Sequence, residues 1–276
     1  MPELPEVETV KRSLEKLIIG LKISDVEVLA PSVVVDHQPE SFRAILNGLQ
    51  VENLQRRGKY LIINLSDQLT LVIHLRMTGR LVYLTPDQPP PKYTHLLFHF
   101  DNQSRLAFAD MRRFGRINLL PTAELKKLSG LKDLGPEPLT GDFSIDYLHQ
   151  TLKKRRTKIK PLLLNQTFVA GLGNIYADEA LHRAQIHPER LAAELNAEEM
   201  ARLYQAIVGV LTQGIENRGT SFSDYVDGLG NKGSNQHLLK AYNREGEPCH
   251  RCGNLILRKK VGGRSSYYCP QCQQPS

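Results

Sequence analysis

Residues 59–84, KYLIINLSDQLTLVIHLRMTGRLVYL, decide the fold class of the N-terminal half. They hold three short runs rich in β-branched and aromatic residues (KYLIINL, LTLVIHL, RLVYL), each too short for a helix and broken by polar residues. The pattern extends outward. KISDVEVLA lies upstream; THLLFHF, SRLAFAD and RINLL lie downstream, separated by turn-rich pieces such as TPDQPPPK and DNQS. Short strands at this spacing predict an antiparallel sandwich or barrel from about residue 22 to 120. Ahead of it, residues 5–19 read as one helix. Pro5 suits a first turn, Val7, Val10, Leu14, Leu17 and Ile18 recur at helical spacing, and Gly20 stops it.

Past LGPEPL (134–139), which reads as a linker, the pattern turns helical: Ile145–Lys154, Lys160–Asn165, Asn174–Ala184 and Ala197–Asn217. A polar, Gly-rich stretch, GTSFSDYVDGLGNKGSNQ (219–236), is expected to be a mobile loop. The whole is an α+β multidomain chain of 276 residues, long enough for about two domains.

All four cysteines fall at the C-terminal end as Cys249-x2-Cys252 and Cys269-x2-Cys272, sixteen residues apart. That is the spacing of one tetrahedral zinc ion. Two disulfides are the competing reading, which a cytosolic chain disfavours. Leu255, Ile256, Leu257, Tyr267 and Tyr268 flank Gly262-Gly263 as a hairpin. With four protein ligands the ion has no open position, so it holds a fold and does no chemistry. So small a unit needs the metal to order it.

Composition excludes several classes. Hydrophobic residues at 41% and charged residues at 24% argue against wholesale disorder. No apolar run approaches the roughly 20 residues of a membrane span. The start, MPELPEVETVKR, lacks a signal h-region, so the expected compartment is the cytosol. The net charge of +7 is unevenly spread: residues 1–150 carry 18 basic and 18 acidic side chains, whereas 249–276 carry five basic ones and no acid. A second basic run is KKRRTKIK (153–160). Either cluster alone is commonly a solvated face; two of them, with no lipid-binding amphipathic stretch, favour a nucleic acid over a membrane.

Pro2 followed by Glu3 carries the most suggestive chemistry. Removal of Met1 leaves a secondary amine of pKa near 8, far more nucleophilic at neutral pH than lysine. Attack on a sugar carbon gives an iminium electron sink, with Glu3 and Glu6 beside it to move protons. Pro-Glu is equally a common helix start. Other pieces fit a nucleic-acid enzyme: RRGKY with Lys59, HLRMTGR with Met77 in a turn, and DMRRFG with Phe114 beside paired arginines. Apolar wedges next to arginines suit base-step insertion, though buried core residues read the same way. GLGNIYADEAL (171–181) is a glycine turn opening a helix, whose N–H groups suit a phosphate.

MPELPEVE, RRGKYL, HLRMTG, DMRRFG, LGPEPL, GLGNIYADEAL, IHP and CxxC…CxxC together, in order from residue 1 to about 272, closely resemble the bacterial formamidopyrimidine-DNA glycosylases. The resemblance implies an N-terminal β-sandwich (1–135), a helix-two-turn-helix DNA-binding domain (136–245) and a zinc finger (246–276). It implies excision of oxidised purines from duplex DNA, then strand cleavage by β,δ-elimination, with one structural zinc. No coiled-coil heptad or large exposed apolar repeat argues for an oligomer, so a monomer is expected, working in the cytoplasm on nucleoid DNA. Carried over residue by residue, it makes Pro2 the nucleophile at C1′, Glu3 the general acid/base and Glu6 its support. Lys59 then assists β-elimination and Arg264 δ-elimination, both also gripping phosphates together with His74 and Asn174, and Arg155 is similar to a lysine that the family uses on DNA. Met77, Arg112 and Phe114 fill the gap left by the extruded base, Arg112 reading the opposite cytosine, and Tyr225 lies in the loop that closes over the lesion.

Two positions depart from the family's pattern. Met111 stands where proline is frequent, and Tyr93 where some members place a DNA-contacting histidine. Leu4 favours this family over its endonuclease VIII relatives, which act on oxidised pyrimidines. A DNA-binding protein that has lost chemistry is the remaining alternative, against which the intact Pro2, Glu3 and Lys59 speak.

Overall fold

In the computed structural model, which describes residues 1–275, the first helix, α1 (Leu4–Ile18), starts at a reciprocal cap. The Glu3 side chain accepts the Glu6 backbone N–H, and the Glu6 side chain accepts that of Glu3. One face of α1 is wholly apolar: Val7, Val10, Leu14 and Ile18 are buried in the core of a two-sheet sandwich. Each such side chain contributes about 1.5–3 kcal/mol when fully buried.

The strands are β1 (Ile23–Val28), β2 (Val34–Val35), β3 (Val51–Arg57), β4 (Tyr60–Leu65), β5 (Leu69–His74), β6 (Gly79–Leu84), β7 (Thr94–Phe100), β8 (Arg105–Asp110) and β9 (Arg116–Pro121). One sheet has the order β1-β7-β8-β6 and the other β2-β9-β5-β4-β3. All pairings are antiparallel except the short β2–β9 pair. The chain crosses between the sheets three times at one end, first from β1 to β2 through residues 29–33. Residues 75–78 lead from β5 to β6, and residues 111–115 return from β8 to β9. Because β5 pairs with β9 and β6 with β8, these last two crossovers run side by side.

Three of the named elements are absent from the sequence reading: the two-residue strand β2, helix α2 (Pro39–Leu46) and strand β3. The stretch 219–236, expected as a mobile loop, is in fact anchored. Thr220 N–H donates to Glu6 Oε1 at 2.7 Å, Gly228 N–H to Ser13 Oγ at 2.9 Å, and Tyr225 lies in the sandwich core. Accordingly residues 1–132 and 215–236 form one compact unit, and 133–214 with the chain from 237 onward form another.

The second unit contains α3 (Ile145–Leu152), α4 (Ile159–Leu164), α5 (Asn174–Ala184) and most of α6 (Ala197–Glu216), close to the helices read from the sequence. Ser144 caps α3 by accepting the Tyr147 N–H. The C-terminal hairpin, β10 (Leu257–Val261) and β11 (Arg264–Tyr268), turns at Gly262-Gly263 with φ of +56° and +78°. Positive φ at both central residues is what a tight two-residue hairpin turn demands.

Candidate active site and metal centre

In the first unit, Pro2 is buried at the start of α1, with Glu3 and Glu6 only 2% and 1% exposed. Glu6 uses both carboxylate oxygens, Oε2 accepting Glu3 N–H at 2.8 Å and Oε1 accepting Thr220 N–H. It therefore fixes the N-terminal turn. The Tyr225 hydroxyl donates to the backbone carbonyls of Arg218 (3.1 Å) and Glu6 (3.3 Å). Burial and the neighbouring Glu6 carboxylate push its phenol far above the usual range. Tyr225 is thus an internal anchor of its loop.

Lys59 sits in the two-residue turn Gly58–Lys59 between β3 and β4, with Gly58 at φ +54°. It is buried, as is His74 at the end of β5, whose ring meets the edge of Tyr60 at 4.6 Å. Burial, then the charges of Arg76 and Lys59, hold His74 down to about 3, so the ring is neutral at physiological pH. Its Nδ1 accepts the Arg76 N–H at 2.9 Å, which leaves the proton on Nε2 as a donor.

The two crossovers and Tyr93, which ends the neighbouring β6–β7 connection, carry an unusual surface. Met77 (41% exposed), Met111 (51%), Phe114 (51%) and Tyr93 (55%) stand in solvent among Arg112 and Arg113. Large apolar side chains are normally buried, and several together mark a binding surface. Arg112 Nη1 lies 3.4 Å from Met77 Sδ. Arg76, Tyr93 and Arg113 adopt left-handed φ of +55°, +63° and +56°, a strained conformation for such residues.

In the second unit, α5 carries a polar ladder at i, i+4 and i+8. Asn174 Nδ2 donates to Ser265 O at 2.9 Å, Asp178 Oδ2 accepts Tyr267 N–H at 3.1 Å, and His182 Nε2 reaches Cys249 Sγ at 3.4 Å. Glu179, beside it, accepts the N–H groups of Lys240, Ala241 and Tyr242. The finger is therefore seated along one helix. Arg264 is exposed at the hairpin tip, and Arg155 is exposed after α3. Lys160, counted in the basic run, is no part of that surface. It is fully buried, its Nζ 2.6 Å from Asp178 Oδ1 and 2.7 Å from Ser265 O. Burial drives the Asp178 carboxyl up to about 7 against the opposing pull of Lys160. Such a pair stabilises little in net terms, but losing one partner costs about 3–5 kcal/mol.

The four cysteine sulfurs lie within 4.8 Å of one another, and no disulfide joins them. Zinc–sulfur bonds of about 2.3 Å in a tetrahedron place sulfurs roughly 3.8 Å apart, so the set fits one zinc ion. Donors suited to thiolates surround it: Cys272 N–H to Cys269 Sγ at 3.5 Å, and Asn254 Nδ2 to Cys252 Sγ at 3.7 Å. Lys160, Asp178 and His182 escape the sequence reading. For Asp178 and His182 the available signal was their i, i+4, i+8 register with Asn174 on the helix NIYADEALHRA.

Comparison with known proteins finds three matching family regions in order along the chain. The description "Formamidopyrimidine-DNA glycosylase N-terminal domain" matches residues 1–117, the corresponding H2TH domain 134–226, and the zinc finger found in FPG and IleRS 246–275. The chain is 58% identical over 275 residues to the formamidopyrimidine-DNA glycosylase of Desulforamulus reducens, covering 99% of each. It is 57% identical to that of Pelotomaculum thermopropionicum, again with 99% of each covered. A Lactococcus lactis Fpg solved with abasic-site DNA superposes with a TM-score of 0.93 at 42% identity, covering 99% of this chain and all of that one. MutM solved with DNA containing carbocyclic 8-oxo-G gives 0.92 at the same identity and coverage. With all three parts present in order and whole-length identity this high, the chain belongs to the formamidopyrimidine-DNA glycosylase family.

Proposed function

We propose that this DNA glycosylase and AP lyase of base-excision repair works through Pro2 once Met1 is removed. The imino nitrogen attacks C1′ of an extruded oxidised purine nucleotide; the C1′–N bond to the base breaks and the base leaves with a proton. The nitrogen then sheds its proton and its lone pair expels O4′, which takes up a proton as the sugar ring opens; the iminium so formed at C1′ draws electrons from the sugar. Loss of a C2′ proton then expels the 3′ phosphate, and a second elimination expels the 5′ phosphate. Glu3 moves the first protons, Glu6 holds the turn, Lys59 assists the first elimination and Arg264 the second. His74, through its Nε2–H, Asn174, through its remaining amide hydrogen, and Arg155 hold phosphates. Such contacts fix register without reading sequence, as scattered lesions require. Met77, Arg112 and Phe114 occupy the vacated stack, which offsets part of the cost of extrusion. Tyr93 borders them, and Tyr225 anchors the loop that covers the lesion. In functional terms the parts are 1–135 for chemistry, 136–245 for DNA and 246–276 for the finger, and the workplace is nucleoid DNA.

One zinc ion, bound by Cys249, Cys252, Cys269 and Cys272, supplies structure only. The observation that supports the reading is the buried Pro2–Glu3–Glu6 turn, in which both carboxylates are held by backbone N–H groups next to the residue that becomes the terminal amine. Borohydride reduction on an 8-oxoguanine duplex is expected to trap a covalent adduct that mass spectrometry maps to Pro2. Processed protein that binds this DNA without forming the adduct overturns the reading. In a lesion panel, faster excision of an oxidised pyrimidine than of 8-oxoguanine favours the endonuclease VIII alternative.

A further inference from the structure

Arg112 and Phe114 lie on one crossover and Met77 on the other, 35 positions apart for Met77 and Arg112. Beyond the Gly79–Asp110 pair that ends the β6–β8 ladder, two buried side chains, Asp110 and Thr78, join these connections. Asp110, 1% exposed at the end of β8, accepts the Thr78 hydroxyl across the β6–β8 pair through Oδ1. The same Oδ1 takes the Arg112 N–H at 3.1 Å, and Oδ2 takes the Gly115 N–H at 2.7 Å. Thr78 Oγ1 in turn accepts the Arg112 N–H at 3.1 Å. The Asp110 backbone is held as well: its carbonyl accepts His95 Nε2–H at 2.7 Å and Arg113 N–H at 3.2 Å. Gly115 is required where it stands, because a Cβ would lie 2.4 Å from Phe108 Cζ and 3.1 Å from Asp110 Oδ2.

The geometry points to Thr78 and Asp110 as positioning residues that clamp the two crossovers into one rigid reader, and so set how strictly the base opposite the lesion is selected. This rests on the proposal that Arg112 reads that base. The argument is one of tolerance. Arg112 is long and flexible, and discrimination between bases requires its guanidinium to meet one hydrogen-bonding edge and miss another. Its backbone N–H is fixed twice, by Oδ1 of Asp110 and Oγ1 of Thr78. The left-handed Arg113 beside it persists only while its surroundings hold it. A buried carboxylate accepting several donors is the stiffest local device available, since charge-assisted hydrogen bonds are the strong ones. Neither residue exposes a group to DNA, so both act through Arg112, Phe114 and Met77.

The test compares single-turnover excision of 8-oxoguanine opposite cytosine with excision opposite adenine. Rates are normalised to the active fraction trapped by borohydride on abasic DNA, so that partial unfolding cancels. Thr78→Val keeps the shape and removes the hydroxyl, and Thr78→Ser restores it. A loosened arginine contact is expected to lower the cytosine-to-adenine ratio about three- to tenfold in Thr78→Val. Asp110→Asn, which cannot accept on both sides, is expected to lower it at least as far, whereas Thr78→Ser stays within about twofold of the parent. A wild-type ratio in both Thr78→Val and Asp110→Asn overturns the clamp. A parent enzyme that excises 8-oxoguanine at equal rates opposite both bases removes the Arg112 reading instead, and one that excises nothing removes the glycosylase reading.

Discussion

At the scale of the residue, burial decides charge. His74 is neutral because its site offers no water and two cationic neighbours, Arg76 and Lys59. In the unfolded chain the same ring titrates near 6.5. Between there and about 3 the unfolded chain binds a proton that the folded one refuses, so this group makes stability fall as pH drops through that window. The slope is at most about 1.4 kcal/mol per pH unit. Urea unfolding of the parent at pH 7 and pH 5 includes this loss along with that of other groups; in His74→Gln the loss is expected to be smaller by about 2 kcal/mol. Equal losses in the two proteins contradict a neutral His74. None of this was visible in HLRMTGR, since a histidine in a strand pattern says nothing of whether a lysine 15 positions earlier is folded against it.

At the scale of the element, the small buried cluster of the finger and its approach consists of Ala241, Cys249, Ile256, Tyr267 and Cys269. Two of these are zinc ligands, so the metal and the core are lost together. A chelator is expected to release about one zinc per chain, to change the near-ultraviolet dichroism of the packed Tyr242–Tyr267 pair, and to abolish DNA binding. Full binding by metal-free protein contradicts this. The finger was legible because its ligands and turn lie within one short stretch. The sandwich was legible where strands bury dense apolar runs, as in Tyr60–Leu65 and Leu69–His74. Strand β3 was not, because its alternation is broken by an irregularity at Val51–Asn53 and only Val51 and Leu54 are buried. Helix α2 anchors through Phe42 and Leu46 alone, too few for a period to show. The stretch 219–236 was misjudged because its order comes from hydrogen bonds to α1, some 200 positions away, and not from its own composition.

At the scale of the whole molecule, the groups assigned to chemistry are divided. Pro2, Glu3 and Lys59 belong to the first unit, and Asn174 and Arg264 to the second. The motifs pointed to all of them, because short local patterns survive in one dimension. The contacts that hold them do not: Lys160 with Asp178, Thr78 with Asp110 and His182 with Cys249 each join distant positions. One feature of the N-terminal turn bears on handling the protein. In the unprocessed chain the nitrogen of Pro2 is an amide with Met1 and has no lone pair to give. An affinity tag fused ahead of Met1 is therefore expected to yield a folded protein that still grips lesion-bearing duplex in a gel-shift assay but leaves the strand uncut. A protease that trims the tag back to Pro2 restores cutting, so purification handles belong at the opposite end, and translation yields a repair tool that stays safe until its first residue is clipped.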